Sequence, residues 1–134
     1  MEIEYREVKD FEADDLKQLF LSVEWSSGEY PEKLVVAMKN SDRVVSAWHG
    51  GRLVGLMNAI SDGAMTAYFH YLLVQPDYQK KGIGAKLVAM MLDHYRDCPR
   101  KVLISYNSQI QFYEKCGLQA SRDSTPMFVT TLTT

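Results

Sequence analysis

Leu72-Leu73-Val74-Gln75-Pro76-Asp77-Tyr78-Gln79-Lys80-Lys81-Gly82-Ile83-Gly84-Ala85-Lys86 decides the fold of this chain. The stretch reads as a buried strand, a tight turn, and two glycines that open a helix. A helix begins with backbone N–H groups that have no intrahelical partner. Those groups, with the helix dipole behind them, favour a phosphate. Glycine suits such a turn because a Cβ would hold an anion off the amides.

The pattern continues on both sides. Ala67 to Val74 is apolar or aromatic almost throughout, which predicts a central strand buried on both faces. Gly82 to about Arg96 carries Ile83, Leu87, Met90, Met91 and His94 at helical spacing, and Pro99 ends it. Lys101 to Tyr106 is a strand around Val102-Leu103-Ile104. Strand, helix, strand at this length is a βαβ unit, whose two strands run parallel. Gln109 to Cys116 reads as a short helix with Gly117 as its C-terminal cap. Leu118–Arg122 and Met127–Thr131 read as two closing strands.

Upstream, Glu2 to Val8 alternates as a short strand, and Asp10 can cap a helix from Glu12 to Val23. Pro31 opens a second helix reaching Lys39. Arg43–Trp48 and Arg52–Ile60 form a hairpin around Gly50-Gly51. The expected fold is therefore α/β: antiparallel N-terminal strands, then a βαβ unit with parallel central strands, in one mixed sheet with helices packed on it.

The totals limit the function classes. A chain of 134 residues suits one domain, 1–134, and 46% hydrophobic with 24% charged residues fits a globular protein. A formal net charge of −2 offers no basic field for nucleic acid. No apolar run is long enough to span a membrane, and the N-terminus lacks a signal-peptide core. Cys98 and Cys116 make no metal spacing and read as free thiols, so no metal is expected and the location expected is cytoplasmic. The methionines, Met57, Met65, Met90 and Met91 among them, read as core filler.

Three glycine-rich patterns compete for Gly82-Ile83-Gly84. A P-loop requires a Gly-Lys-Ser/Thr ending that is absent. A dinucleotide fingerprint needs a third glycine where Leu87 stands, and an earlier position in the chain. The third is Gln-x-x-Gly-x-Gly, held by Gln79, Gly82 and Gly84. With Asn107 and Phe112-Tyr113-Glu114-Lys115-Cys116-Gly117-Leu118 downstream, it resembles the GNAT superfamily of acetyl-coenzyme A-dependent N-acetyltransferases. The two motifs lie about 25 residues apart, as one helix and one strand require. Lys80 stands where many members have glycine, and Leu118 where phenylalanine is commoner. Neither removes a backbone donor.

The resemblance implies acetyl-CoA as the acetyl donor and a direct transfer to a primary amine. Backbone groups of Leu72, Leu73 and Val74 would pair with the pantetheine arm. Amides from Gln79 through Ala85 (Gln79, Lys80, Lys81, Gly82, Ile83, Gly84, Ala85) would hold the pyrophosphate. Lys80, Lys81 and Lys86 add charge there, or serve only solubility. Phe112 belongs to the same cofactor-binding set. Asn107 would hydrogen-bond the pantetheine, or cap the helix that follows.

The family places its general acid at Tyr113. A phenol titrating near ~10 stays protonated and can donate to the departing thiolate. Read from spacing alone, Phe112 and Tyr113 are core aromatics on a short helix. His70, two residues before Leu72, is the candidate base, as in the arylalkylamine members; a lone strand histidine is also an ordinary structural residue. Asp62 and Glu24 are weaker alternatives. Neither cysteine has a paired base, so no acyl-enzyme is expected.

The family builds its acceptor pocket from the first two helices and their loop. Here that loop holds Glu24, Trp25, Ser26, Ser27, Glu29 and Tyr30. Trp25 and Tyr30 can wall an aromatic or aliphatic amine, and Glu24 or Glu29 can attract its cation; an ordinary loop with a packed tryptophan is the plain alternative. The partner expected is a small-molecule amine. A protein amine, or a non-catalytic acyl-CoA sensor, are the rival readings. Met127-Phe128-Val129 offers an apolar edge to a second copy, so a homodimer is expected.

Overall fold

The computed structural model describes residues 1–134. One sheet holds five strands in the order of the chain: β1 (Glu4–Arg6), β2 (Arg43–His49), β3 (Arg52–Ser61), β4 (Thr66–Val74) and β5 (Arg100–Leu103). The first four pair antiparallel, and β4 pairs with β5 in parallel. The helices are α1 (Ala13–Ser22), α2 (Pro31–Asn40), α3 (Ile83–His94) and α4 (Ile110–Lys115). This is the mixed α/β sheet and βαβ unit expected from the sequence.

The sheet separates two apolar layers. On one face Leu16, Leu19 and Phe20 of α1 and Leu34 and Met38 of α2 pack on Val44, Leu56, Tyr71 and Leu73. On the other, Ile83, Leu87, Val88 and Met91 of α3 pack on Val45, Met57, Ala59, Ala67 and Phe69. Both layers bury aliphatic side chains almost completely, so the sheet is a rigid platform held from two sides.

Strand β4 changes face midway. Ala67 and Phe69 belong to the α3 layer, as do Leu72 and Val74, whereas Tyr71 and Leu73 belong to the α1 layer. Strict alternation would put 67, 69, 71 and 73 together. The register explains the switch. Met57 faces Leu72 and Ala59 faces Phe69, so two steps on β3 oppose three on β4. The surplus residue is a β-bulge in the His70–Tyr71 stretch.

Three expectations fail. Strand β4 is not buried on both faces: Ala67, Phe69, Tyr71 and Leu73 are buried, whereas Tyr68 and Leu72 are half-buried and His70 is exposed, because no strand covers its edge beyond Phe69. Asp10 does not cap α1. The cap position is Glu12, which makes no side-chain cap bond, and Asp10 lies 4.0 Å from Lys39 Nζ. Phe11 takes over the chain entry by stacking on Trp48, ring centroids 6.2 Å apart. The closing strands Leu118–Arg122 and Met127–Thr131 do not form, and β5 is left as the sheet edge. Pro126 lacks an N–H to give a ladder. The end of the chain is instead tied across to the α1–α2 connection. Ser27 N and Ser27 Oγ both donate to the Thr134 main-chain oxygen at 2.8 Å, and Thr133 N donates to Ser26 Oγ at 2.8 Å. Met127 and Val129 stay fully exposed on the way.

Candidate functional site

The parallel ladder between β4 and β5 ends at Phe69 and Leu103. Beyond it β4 runs on to Val74 while the chain after β5 turns away as Ile104-Ser105-Tyr106. A cavity of about 1300 Å³ opens in this wedge. That exceeds the roughly 300–1,000 Å³ usual for one drug-sized ligand. It has room for a cofactor arm and a second molecule.

The turn before α3 forms one end of the cavity. Lys80 and Gly82 both lie in the left-handed region, at φ 62° and 84°. Nothing stands within 4 Å of a Cβ built on Gly82, so its backbone angle, not lack of room, calls for glycine there. Lys80 occupies that region without being glycine, a strain of about 1–3 kcal/mol of the kind found at ligand clamps. Gly84 has the opposite reason. Its Cβ would meet Phe112 Cζ at 3.3 Å. The glycine lets α4 lie against the first turn of α3, and Phe112 with it. The Gln79 side chain closes the turn by donating to the Val74 carbonyl at 2.9 Å.

The spacing of the Phe-Tyr motif is a helix-ending device. Gly117, at φ 101°, donates its N–H to Glu114, and Leu118 donates to the Tyr113 carbonyl at 3.1 Å. These two bonds are a Schellman cap, which explains glycine four positions after tyrosine. Tyr113 is thereby locked at the end of α4, with its ring at 5.0 Å from Phe112 and on the cavity wall. Burial pushes its phenol up to about 12, with Cys116 adding to the effect.

Across the cavity, His70 stacks on Tyr71 at 3.9 Å and on Tyr68 at 5.6 Å. Adjacent strand residues normally point to opposite faces, so the His70–Tyr71 stack is a product of the bulge. His70 keeps an exposed surface, and partial loss of solvent around its ring pushes its pKa below the ordinary value. Tyr71 Oη is 2.8 Å from Ser27 Oγ, and its ring meets Phe20 edge-on at 4.9 Å. Trp25 closes this side, 6.2 Å from Tyr71 and 6.4 Å from Tyr106. No Asp or Glu lines the cavity; apart from tyrosines, Lys80 and His70 are its ionisable side chains. No group of three His, Cys, Asp or Glu side chains is placed to hold a metal ion.

Of the residues marked from sequence, the cavity gathers Trp25, His70, Leu72, Leu73, Val74, Gln79, Lys80, Gly82, Gly84, Ala85, Phe112 and Tyr113. Lys81, Asn107, Glu24, Ser26, Glu29 and Tyr30 do not line it. Ile83 is buried under α3, and Lys86 Nζ lies 5.9 Å over the Tyr5 ring. Ser26 holds the end of the chain instead of facing the cavity. Asp62 is bound up in its own turn, accepting from the amides of Ala64, Met65 and Thr66. The aromatic wall of Tyr68, Tyr71 and Tyr106 was not marked as a site. Its signal was the aromatic density of 68–71, which strand burial explains equally well.

The model of the acetyltransferase (GNAT) family matches residues 7–118. A histone acetyltransferase TAP1 of Glycine max is 32% identical over 124 residues, covering 83% of this chain and 53% of the relative. The chain thus spans about half the length of that relative. An uncharacterized N-acetyltransferase ycf52 of Pyropia yezoensis is 25% identical over 126 residues, covering 86% of this chain and 72% of the relative. Among solved structures, a GNAT family acetyltransferase of Streptococcus pneumoniae superposes with a TM-score of 0.84 at 25% identity, covering 96% of this chain and 98% of that one.

The contact between Gly84 and Phe112 is open to test. Gly84→Val is expected to cost about 1–3 kcal/mol by overpacking. It should also displace Phe112 and Tyr113 together. Thermal unfolding and near-ultraviolet circular dichroism of the variant check both.

Proposed function

The chain belongs to the GNAT acetyltransferase family, and we propose that it carries an acetyl group from acetyl-CoA directly to the primary amine of a small molecule with an apolar body. The observation that carries this reading is the wedge between β4 and β5, with Tyr113 on one wall and His70 on the other. The residues fit the donor. An open strand edge from His70 to Val74 suits an extended amide arm, and the left-handed turn at Lys80 and Gly82 presents backbone N–H groups to a pyrophosphate.

The donor supplies a thioester carbonyl. The ammonium first gives one proton to solvent water, which frees the nitrogen lone pair. His70 takes the second proton as that nitrogen bonds to the carbonyl carbon. Tyr113 Oη gives its proton to the sulfur as the carbon–sulfur bond breaks; water then reprotonates Tyr113 and takes the proton from His70. A phenol held at about 12 is proton-loaded at every working pH. A histidine held below its usual value is already neutral, and so able to accept, in neutral solution.

The acceptor chemistry follows from the walls. Trp25, Tyr71 and Tyr106 present rings, and no Asp or Glu side chain lines the cavity. A single ammonium can be met by ring faces, worth about 0.5–2 kcal/mol. A polycation would find no Asp or Glu side chain there to pair its charges. The relative named a histone acetyltransferase supports a second reading, a lysine side chain of a protein.

Tyr113→Phe is expected to lower kcat by about 10²-fold, measured at saturating donor and amine; near-normal turnover ends the role. The acidic limb of kcat/KM should lie below ~6.5, since neutral His70 is the active form and its pKa is lowered. His70→Ala should erase that limb, and an unchanged limb removes His70 as base. On a panel of amines, singly charged aromatic or aliphatic amines should exceed polyamines by about 10-fold or more in kcat/KM. A histone-tail peptide outrunning both moves the acceptor to proteins. Tight acetyl-CoA binding with no turnover on any amine leaves a sensor.

A further inference from the structure

Asn58 is the one amide side chain buried inside the sheet, 2% exposed in the middle of β3. It stands opposite the bulge, between the Met57–Leu72 and Ala59–Phe69 pairs. A bulge takes a backbone N–H out of the ladder, and a buried N–H without a partner costs about 1–3 kcal/mol. Asn58 supplies that partner. Its Oδ1 accepts from Tyr71 N at 2.8 Å.

The other half of the amide is anchored in α2. Asn58 Nδ2 donates to Ser41 Oγ at 3.1 Å, and Ser41 Oγ donates to the Ala37 carbonyl at 2.7 Å. The direction of every bond follows from the donors available. Tyr71 N–H can only donate, so the atom facing it is the amide oxygen. Ser41 spends its single hydrogen on Ala37, so the atom facing it must bring one. Asparagine meets both demands. Aspartate would face Ser41 with a second acceptor and bury a charge, and leucine would leave Tyr71 N–H unpaired.

What this bond holds is the geometry of the site. The β4–β5 ladder ends at Phe69, one residue before the bulge. The bulge turns Tyr71 towards α1 and Ser27, and brings His70 beside it at 3.9 Å. We propose that Asn58, which does not line the cavity, is a positioning residue for acetyl transfer: it holds the β4 bulge from behind and so sets His70 and the mouth of the wedge. The inference rests on the wedge being the acetyl-transfer site.

Asn58→Leu keeps the volume and removes the acceptor. In the folded variant, kcat is expected to fall by about 10²-fold, the scale of a 1 Å misplacement, while KM for acetyl-CoA changes by about 3-fold or less, because the turn before α3 is untouched. The Tyr71 amide should lose its protection in hydrogen exchange, a readout independent of turnover. Ser41→Ala frees the far end of the amide and should move both readouts the same way by a smaller amount. A folded Asn58→Leu with kcat within 2-fold of wild type overturns the proposal. So does Ser41→Ala with wild-type kcat and wild-type Tyr71 protection, which decides the matter where the leucine variant does not fold. Unprotected Tyr71 with unchanged kcat would show that the bulge is held as described while the wedge is not the site of transfer; protected Tyr71 with lost kcat would show that Asn58 acts otherwise.

Discussion

β4 has more backbone to satisfy than its neighbours can pair. Up to Phe69 it is laddered on both sides, to β3 and to β5. Beyond Phe69 only the β3 side is paired, and the other edge opens onto the cavity. Polar backbone groups in a protein interior need partners, so an unpaired edge persists only where something else can reach it. Here water or an extended ligand can. The bulge beside this point pulls His70 and Tyr71 out of alternation, and the two aromatic walls follow from that displacement. The arrangement is backbone accounting first and side-chain chemistry second.

The supporting layers keep the open edge from collapsing. Helix α3 seals one face of β4 through Leu87, Val88 and Met91, and α1 seals the other through Leu16 and Phe20. Helix α3 reaches the wedge only with its first turn, at Gly84 and Ala85. The other helix on its wall, α4, is only six residues long and is stopped by the Schellman cap at Gly117. A short, capped helix brings Tyr113 to the wall without filling the space. The strained backbone also gathers here. Lys80 and Glu24, both at φ 62°, stand at the turn before α3 and beside Trp25. Such strain survives where the surrounding structure dictates the conformation.

The chemistry of the cavity is lopsided. One end is a polar turn with Lys80, and the other is made of rings. The phenol and the imidazole between them are shifted in opposite directions by the same cause, loss of water. Desolvation raises a tyrosine and lowers a histidine because it penalises the charged form of each. In each case burial favours the neutral form.

Local rules made much of this legible beforehand. The glycines at 82 and 117, the apolar run of β4 and the helical period of α3 are short-range signals, and each element formed within a few residues of its expected bounds. The two motifs also identified the family, since each is a backbone device that needs its residues at fixed offsets. The closing strands failed because a strand at a sheet edge depends on what lies beside it. Ser26 and Ser27, about a hundred residues earlier, compete for that tail. Asn58 was invisible for the same reason: an asparagine in an apolar strand carries no local sign that its partner is the amide of Tyr71. The turn, the helix starts and the Phe-Tyr motif were determined by sequence alone, because their causes lie within one turn of chain. The parting of β4 from β5, the stack of His70 on Tyr71 and the ring-lined end of the cavity were decided only by the tertiary structure, because each is a bargain between groups far apart in the chain.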